Sequence, residues 1–188
     1  MKLAIFGGRF DPPHLGHLWV AKQVLDFVPD ITEVILMPAF QHQWKETQVS
    51  WKQRLEMVSL ITNSRITSSD IEMKRKGVSY SIDTIREIRK ERNAEVAWII
   101  GSDIVSEFHR WEKSKELFRE AEFLVFPRDP YHIPKDVRKE FKILKHPNLV
   151  TSNLSSTIVR KRIKEGLSIS NFVPDEVEAY INKNSLYK

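Results

Sequence analysis

The chain has no cysteine, which excludes disulfides and metal sites built on thiolates. It has no apolar run approaching the ~20 residues needed to span a bilayer. Its opening stretch, Met1-Lys2-Leu3-Ala4-Ile5-Phe6, stops at Gly7-Gly8 and does not form a charged-then-apolar leader. No internal repeat, low-complexity tract or linker interrupts the sequence. These absences lead to the expectation of a cytoplasmic protein without a membrane partner, folded as one domain over residues 1–188. What is present agrees: 188 residues, 41% apolar and 29% charged, suit a globular chain with one sizeable core. The net charge of +5 fits a protein that handles anions, whether small-molecule phosphates, nucleic acid or an anionic surface. Ordinary solubility explains that charge equally well, so the motifs must choose the partner.

Apolar patterning alternates between strand and helix. Residues 2–6 read as a short buried strand ending at the glycine pair. From 16 to 28, Leu18, Val20, Ala21, Val24, Leu25 and Val28 recur at helical spacing, and Pro29-Asp30 ends that run. Residues 33–38 form a second strand, followed by a loop with Gln41, His42, Gln43, Trp44 and Lys45. Ser50 can cap a helix with Leu55, Val58 and Ile61 on one face. Residues 66–69 give a weaker strand, and 81–92 an amphipathic helix with Ile82, Ile85 and Ile88 inward. Strands follow at 96–100, ending at Gly101, and at 123–126, ending at Pro127-Arg128. Residues 130–134 read as a surface connection, and a last short strand is expected between Ile143-Leu144 and Leu149-Val150. Helices at 156–164 and 175–182 close the chain, the second after Pro174. This alternation predicts an α/β fold, a Rossmann-like, mostly parallel sheet with helices on both faces. Ligands of such sheets bind beyond the carboxyl ends of the strands, so the loops after Phe6, Pro38, Ile100 and Phe126 should share one rim.

The most informative stretch is Gly7-Gly8-Arg9-Phe10-Asp11-Pro12-Pro13-His14-Leu15-Gly16-His17, between the first strand and the first helix. Glycines let a phosphate approach the main chain, and the N–H groups and dipole of the following helix favour negative charge. His14 and His17, three residues apart, lie on one side of the first helical turn. Each can donate to a phosphate oxygen, as a cation if a dense anion raises its pKa. Neither a dinucleotide fingerprint nor a P-loop is present, because G-x-G-x-x-G and Gly-Lys-Ser/Thr are both missing. Two histidines could serve zinc, but no third ligand of suitable type stands nearby.

This stretch resembles the H-x-G-H signature of the nucleotidyltransferase superfamily, and G-G-x-F-D-P-x-H-x-G-H is similar to the nicotinate-mononucleotide adenylyltransferases. Leu154-Ser155-Ser156-Thr157-Ile158-Val159-Arg160 resembles the family's I-S-S-T-x-I-R. There, hydroxyls open a helix and an arginine fork suited to phosphate sits one turn in. Gly77-Val78-Ser79-Tyr80-Ser81-Ile82-Asp83-Thr84 is similar to its G-x-S-Y-T-x-D-T, Ile100-Gly101-Ser102-Asp103 to its I-G-x-D, and Trp111 to a tryptophan that stacks on the pyridine ring. Phe172-Val173-Pro174, Tyr180-Ile181 and Leu186-Tyr187 resemble the family's C-terminal tail. Two departures stand out. Arg9 is more like archaeal nicotinamide-mononucleotide adenylyltransferases, and His42-Gln43-Trp44-Lys45 replaces a usual P-P-H-K, with Trp44 in place of the histidine.

The resemblance implies an enzyme joining nicotinate mononucleotide to the AMP part of ATP, with release of pyrophosphate and formation of deamido-NAD. It makes His14, His17, Lys45 and Arg160 the catalytic candidates. Gly7, Gly8, Arg9, Phe10, Gly16, Gly101, Asp103, Arg128, Ser156 and Thr157 are candidates for ATP, and Tyr80, Asp83, Thr84 and Trp111 for the mononucleotide. Mg²⁺ would travel on the ATP phosphates, with no metal site made by the protein. ATP and a pyridine mononucleotide are the expected partners, without nucleic acid, and a homo-oligomer is compatible with the sequence. Nicotinamide mononucleotide or another mononucleotide is the alternative acceptor. An RNA-binding or nucleotide-sensing module is the alternative of a different class, and no aromatic RNA-binding signature supports it.

Overall fold

The computed structural model describes residues 1–133 and 139–188. Pro134, at the end of the expected surface connection, lies outside the described residues. The chain runs β1 (Lys2–Gly8), α1 (Leu15–Phe27), β2 (Ile31–Pro38), α2 (Trp51–Ser59), β3 (Ile66–Ser68), α3 (Ile71–Arg75), α4 (Ser81–Arg92) and β4 (Glu95–Gly101). A 3-10 helix (Ser102–Arg110) follows, then α5 (Ser114–Glu120), β5 (Glu122–Phe126), β6 (Phe141–Ile143), α6 (Ser156–Lys164) and α7 (Asp175–Lys183). The sheet has six strands in the order β3-β2-β1-β4-β5-β6, and every pair is parallel. This is a Rossmann-like α/β architecture. Strand order reverses between β1 and β4, and the crevice beyond their carboxyl ends is the place such a sheet offers a ligand.

Both faces of the sheet are covered, and alternation along the strands sorts the core into two layers. Ala4, Ala97 and Ile99 face one layer with Ala21, Val24, Met57, Val159 and Val177 of the helices. Leu3, Ile5, Trp98 and Ile100 face the other with Ile82, Ile85, Ile88 and Leu117. Because both sides of β1 and β4 are buried, their sequences read as continuous apolar runs, as parallel strands require.

Helix starts follow the local chemistry. Ser50 opens α2 with a reciprocal box: its Oγ accepts from the Gln53 N–H, and its own N–H donates to Gln53 Oε1, a pairing that satisfies two otherwise unpaired donors. Ser155 likewise accepts from the Ile158 N–H at the start of α6.

Five elements differ from expectation. The inward face of α2 is Arg54, Met57 and Val58, whereas Leu55 is only half-buried; the Arg54 guanidinium finds carbonyl partners inside and takes the position an apolar residue was expected to hold. The last strand is Phe141–Ile143, ahead of the segment between Leu144 and Leu149. Helices α3 and α5 and the 3-10 helix fill stretches where no element was expected, being short and polar enough to lack a clear period.

Candidate active site

The loops after β1, β2, β4 and β5 do meet on one rim. They enclose a cavity of about 320 Å³, to which Gly7, Gly8, Ala39, Gly101, Pro127 and Arg128 contribute. Two glycines allow the strands to end there. A methyl group on Gly7 would sit 2.5 Å from the Trp98 ring, so the indole of β4 packs directly against the main chain of β1. A methyl on Gly101 would fall 2.2 Å from Asp103 Oδ1.

His14 and His17 face this cavity together. His14 takes the extended cap position of α1 and is 5% exposed. Its ring lies 3.7 Å from that of His17, which is also enclosed by Phe10 at 4.7 Å and Phe6 at 5.7 Å. The His14 N–H donates to His17 Nδ1 over 3.1 Å, so the neutral His17 ring carries its proton on Nε2. Burial, then the Arg128 charge, pushes the His17 pKa down to about 3. His14 is pushed well below the ordinary range by burial first, then by His17 and Arg128. Both imidazoles are therefore neutral N–H donors in the free protein, not cations. The buried His14 Nδ1 has no hydrogen-bond partner.

Cations surround the pair. Arg128 donates from Nη1 to Asp103 Oδ2 at 3.2 Å and from Nη2 to the Leu154 carbonyl at 3.2 Å. Arg9 donates to the Glu46 carbonyl at 3.0 Å; burial and the nearby Arg160 charge lower its pKa. Lys45 is exposed and lines the cleft. Burial first, then the charges of Arg9 and Lys45, brings His42 down to about 4. Asp103 Oδ1 is buried and without a partner.

Of the residues expected in the site, Gly7, Gly8, Arg9, His14, Gly16, His17, Lys45, Tyr80, Gly101, Asp103, Trp111 and Arg128 all line the cleft. The others do not. Phe10 is 1% exposed and packs beneath His17. Arg160 lies behind the glycine loop, donating to the Asp11 carbonyl at 2.7 Å and to Thr157 Oγ1 at 3.3 Å. Ser156 donates to the Pro12 carbonyl at 2.8 Å, and Thr157 is exposed. Asp83 is exposed in the first turn of α4, where a carboxylate complements the helix dipole. Thr84 is wholly buried, donating to Glu72 Oε1 at 2.6 Å and accepting from Arg75 Nη2 at 2.9 Å.

Several supporting contacts had no signal in the sequence. Arg54, 0% exposed, donates to the carbonyls of Arg9 at 2.8 Å and Phe40 at 3.1 Å. Asp11, 1% exposed, accepts from Tyr187 Oη at 2.9 Å and from the Gln48 N–H at 2.8 Å. Glu72 reaches the cleft wall. Its carboxyl is held above the ordinary range by burial, against hydrogen bonds from Ser79 and Thr84. A buried arginine or carboxylate is uncommon, and only long-range contacts reveal these.

The comparisons with known proteins agree with this geometry. Residues 5–162 match the cytidylyltransferase-like family model. A curated relative from Methylacidiphilum infernorum, named "Probable nicotinate-nucleotide adenylyltransferase", is 36% identical over 99% of this chain and 92% of its own length. One of the same name from Dictyoglomus turgidum is 34% identical, covering 100% of this chain and 96% of its own. Among solved structures, Plasmodium falciparum nicotinic acid mononucleotide adenylyltransferase complexed with NaAD superposes with a TM-score of 0.83. It is 22% identical and covers 99% of this chain and 97% of its own; at that identity it speaks to the fold. The chain belongs to the cytidylyltransferase-like family and, within it, to the nicotinate-nucleotide adenylyltransferases.

Proposed function

We propose that the protein transfers the adenylyl group of ATP to nicotinate mononucleotide, forming deamido-NAD and pyrophosphate. The observation that carries this reading is the paired imidazoles, His14 and His17, neutral and enclosed at the end of a glycine strand. Arg9, Lys45 and Arg128 share their cleft. Tyr80 and Trp111 stand on the same cleft and offer flat faces for a pyridine ring.

The attacking group is a phosphate oxygen of the mononucleotide, already anionic, so no side chain needs to remove a proton. That oxygen bonds to the α-phosphorus of ATP while the bond from the α-phosphorus to the bridging oxygen breaks, and pyrophosphate leaves with the electron pair. The protein's task is alignment and stabilisation of charge growing on the phosphoryl oxygens. Nε2–H of His17 and the His14 ring donate to those oxygens. Arg9, Lys45 and Arg128 neutralise the triphosphate and the incoming phosphate, with Arg160 supporting the glycine loop from behind. Asp103 Oδ1, left without a partner, accepts from a ribose hydroxyl.

Among the described residues, no three His, Asp or Glu side chains come together to hold a metal ion. The groups facing the triphosphate are N–H donors and cations. This set fits a hydrated Mg²⁺ held by the phosphates themselves, which when bound shields their charge.

ATP-dependent pyrophosphate release, measured in parallel with nicotinate and nicotinamide mononucleotides, tests the reading. Release with the nicotinate form, and deamido-NAD as the product, is expected. Release with neither overturns it.

A further inference from the structure

The segment between β2 and α2 carries Lys45 to the cleft, and its two ends are anchored. At one end the Ser79 N–H donates to the Gln41 carbonyl at 2.9 Å and the Phe40 N–H to Ser79 Oγ at 3.0 Å. At the other, the Gln48 N–H donates to Asp11 Oδ2 and Arg9 holds the Glu46 carbonyl. The tip between them is curled on itself, with the Trp44 N–H donating to His42 Nδ1 at 3.2 Å. Trp44 is 39% exposed. Across the cleft mouth, at the last residue of the 3-10 helix, the Arg110 guanidinium lies 4.8 Å from the centroid of the Trp44 ring. Arg110 is exposed and makes no ion pair among the described residues, although Glu107 and Glu112 are close in sequence. Among the described residues its specific contact is the indole face, a favourable seat for a planar cation.

We infer that Arg110 is a positioning residue that clamps Trp44 over the end of the cleft lined by Trp111 and Tyr80. Two segments that line the cleft are joined by this contact: the tip after β2, and the 3-10 helix that leads directly into Trp111. A guanidinium stays charged across the working pH range, so the clamp does not switch with pH. Its effect falls on the mononucleotide, which enters between Trp44 and Trp111, and spares ATP, whose triphosphate lies against the glycine loop. The inference rests on the adenylyltransfer reading for its substrate, but the clamp itself exists in the free protein.

Steady-state kinetics and a resonance test it together. Arg110→Ala should raise the KM for nicotinate mononucleotide by about twofold to fivefold, the span of a cation–π contact at an exposed site. kcat and the KM for ATP should stay within about twofold of the parent. Arg110→Lys should recover part of the loss. Trp44→Ala should mimic Arg110→Ala, and the double variant should be no worse than either single change, because two partners of one contact are not additive. In protein carrying 5-fluorotryptophan, the ¹⁹F signal that vanishes in Trp44→Phe should shift in Arg110→Ala without any substrate. An unmoved signal overturns the clamp even if the protein turns over no mononucleotide. Additive losses, or an unchanged mononucleotide KM in active enzyme, overturn its positioning role.

Discussion

The main-chain N–H of His14 donates to Nδ1 of His17 over 3.1 Å, and this one bond sets which nitrogen of His17 can face a substrate. With Nδ1 occupied as an acceptor, the proton sits on Nε2. The histidine that ends the first turn of α1 is thereby prepared as a donor before any phosphate arrives. Replacing it by alanine should lower kcat by about 10²-fold, the scale of losing one preorganised donor. Glutamine, whose side-chain amide reaches about as far as Nε2, should keep more activity than asparagine. Single-turnover kinetics on the folded variants would decide, and rates for alanine, asparagine and glutamine that all match the parent's would remove His17 from the chemistry.

The same pair makes stability depend on pH, and the sign follows from the direction of the shifts. Both histidines are depressed in the folded protein, His17 to about 3 and His14 well below its ordinary value. Above about pH 6.5 the rings are neutral in both folded and unfolded chains and nothing is gained or lost. As pH falls from there toward 3, the unfolded chain binds protons that the folded one refuses, and stability declines. The slope is at most about 1.4 kcal/mol per pH unit for each histidine, and less for His17, which is only partly buried by area. Urea midpoints at pH 7, 6 and 5 should fall steadily, and a His14→Gln, His17→Gln double variant should show a flatter decline. Equal slopes would mean the rings already protonate freely.

The glycine loop is held from beneath, and its supports can be removed one by one. Arg54 satisfies the carbonyls of Arg9 and Phe40 from a position with no solvent access. Arg54→Met preserves bulk but leaves those carbonyls unpaired, at a cost of about 3 kcal/mol. Tyr187→Phe deletes only the donor to Asp11 Oδ1 and should cost about 2 kcal/mol, as for a hydrogen bond to a carboxyl group. Both should also raise the KM for ATP, since Asp11 and Arg9 belong to the loop proposed to receive the phosphates. Denaturant titration gives the first quantity and steady-state kinetics the second. A destabilised Tyr187→Phe with an unaltered ATP KM would separate the C-terminus from the site.

What was legible in the sequence was whatever is local. The glycine-histidine loop, the Ser50 cap and the helix over Ser81–Arg92 depend on neighbours within one or two turns, and their periodicity or spacing states them. The parallel sheet followed from the alternation of short apolar runs with amphipathic ones. Arg54, Glu72 and the Asp11–Tyr187 contact escaped because each joins residues far apart in the chain; Asp11 and Tyr187 are 176 positions apart. Trp98 illustrates the same limit. In sequence it is one more apolar residue of a strand, yet its ring is why Gly7 cannot carry a side chain. Asp83 and Thr84 show the converse, since a motif match placed near the mononucleotide two residues that respectively face solvent and knit α3 to α4.

Gly101 offers a test of the ribose site that deletes no polar group. Its backbone, with φ of −76° and ψ of 155°, is one that any residue adopts, so alanine brings no backbone strain. The added methyl would lie 2.2 Å from Asp103 Oδ1, and the carboxylate must swing away. That movement breaks the 3.2 Å contact between Asp103 Oδ2 and Arg128. It also takes from its place the oxygen proposed to accept from ribose. Gly101→Ala should therefore raise the KM for ATP by about tenfold, the loss expected of one hydrogen bond to a charged group, while the melting temperature changes little. In an Asp103→Ala background the same methyl meets only Arg128 Cδ, at an ordinary 3.7 Å, so it should have no further effect. If Gly101→Ala still weakens ATP binding without Asp103 present, the clash acts on the strand end itself and the carboxylate is not the reader of the ribose.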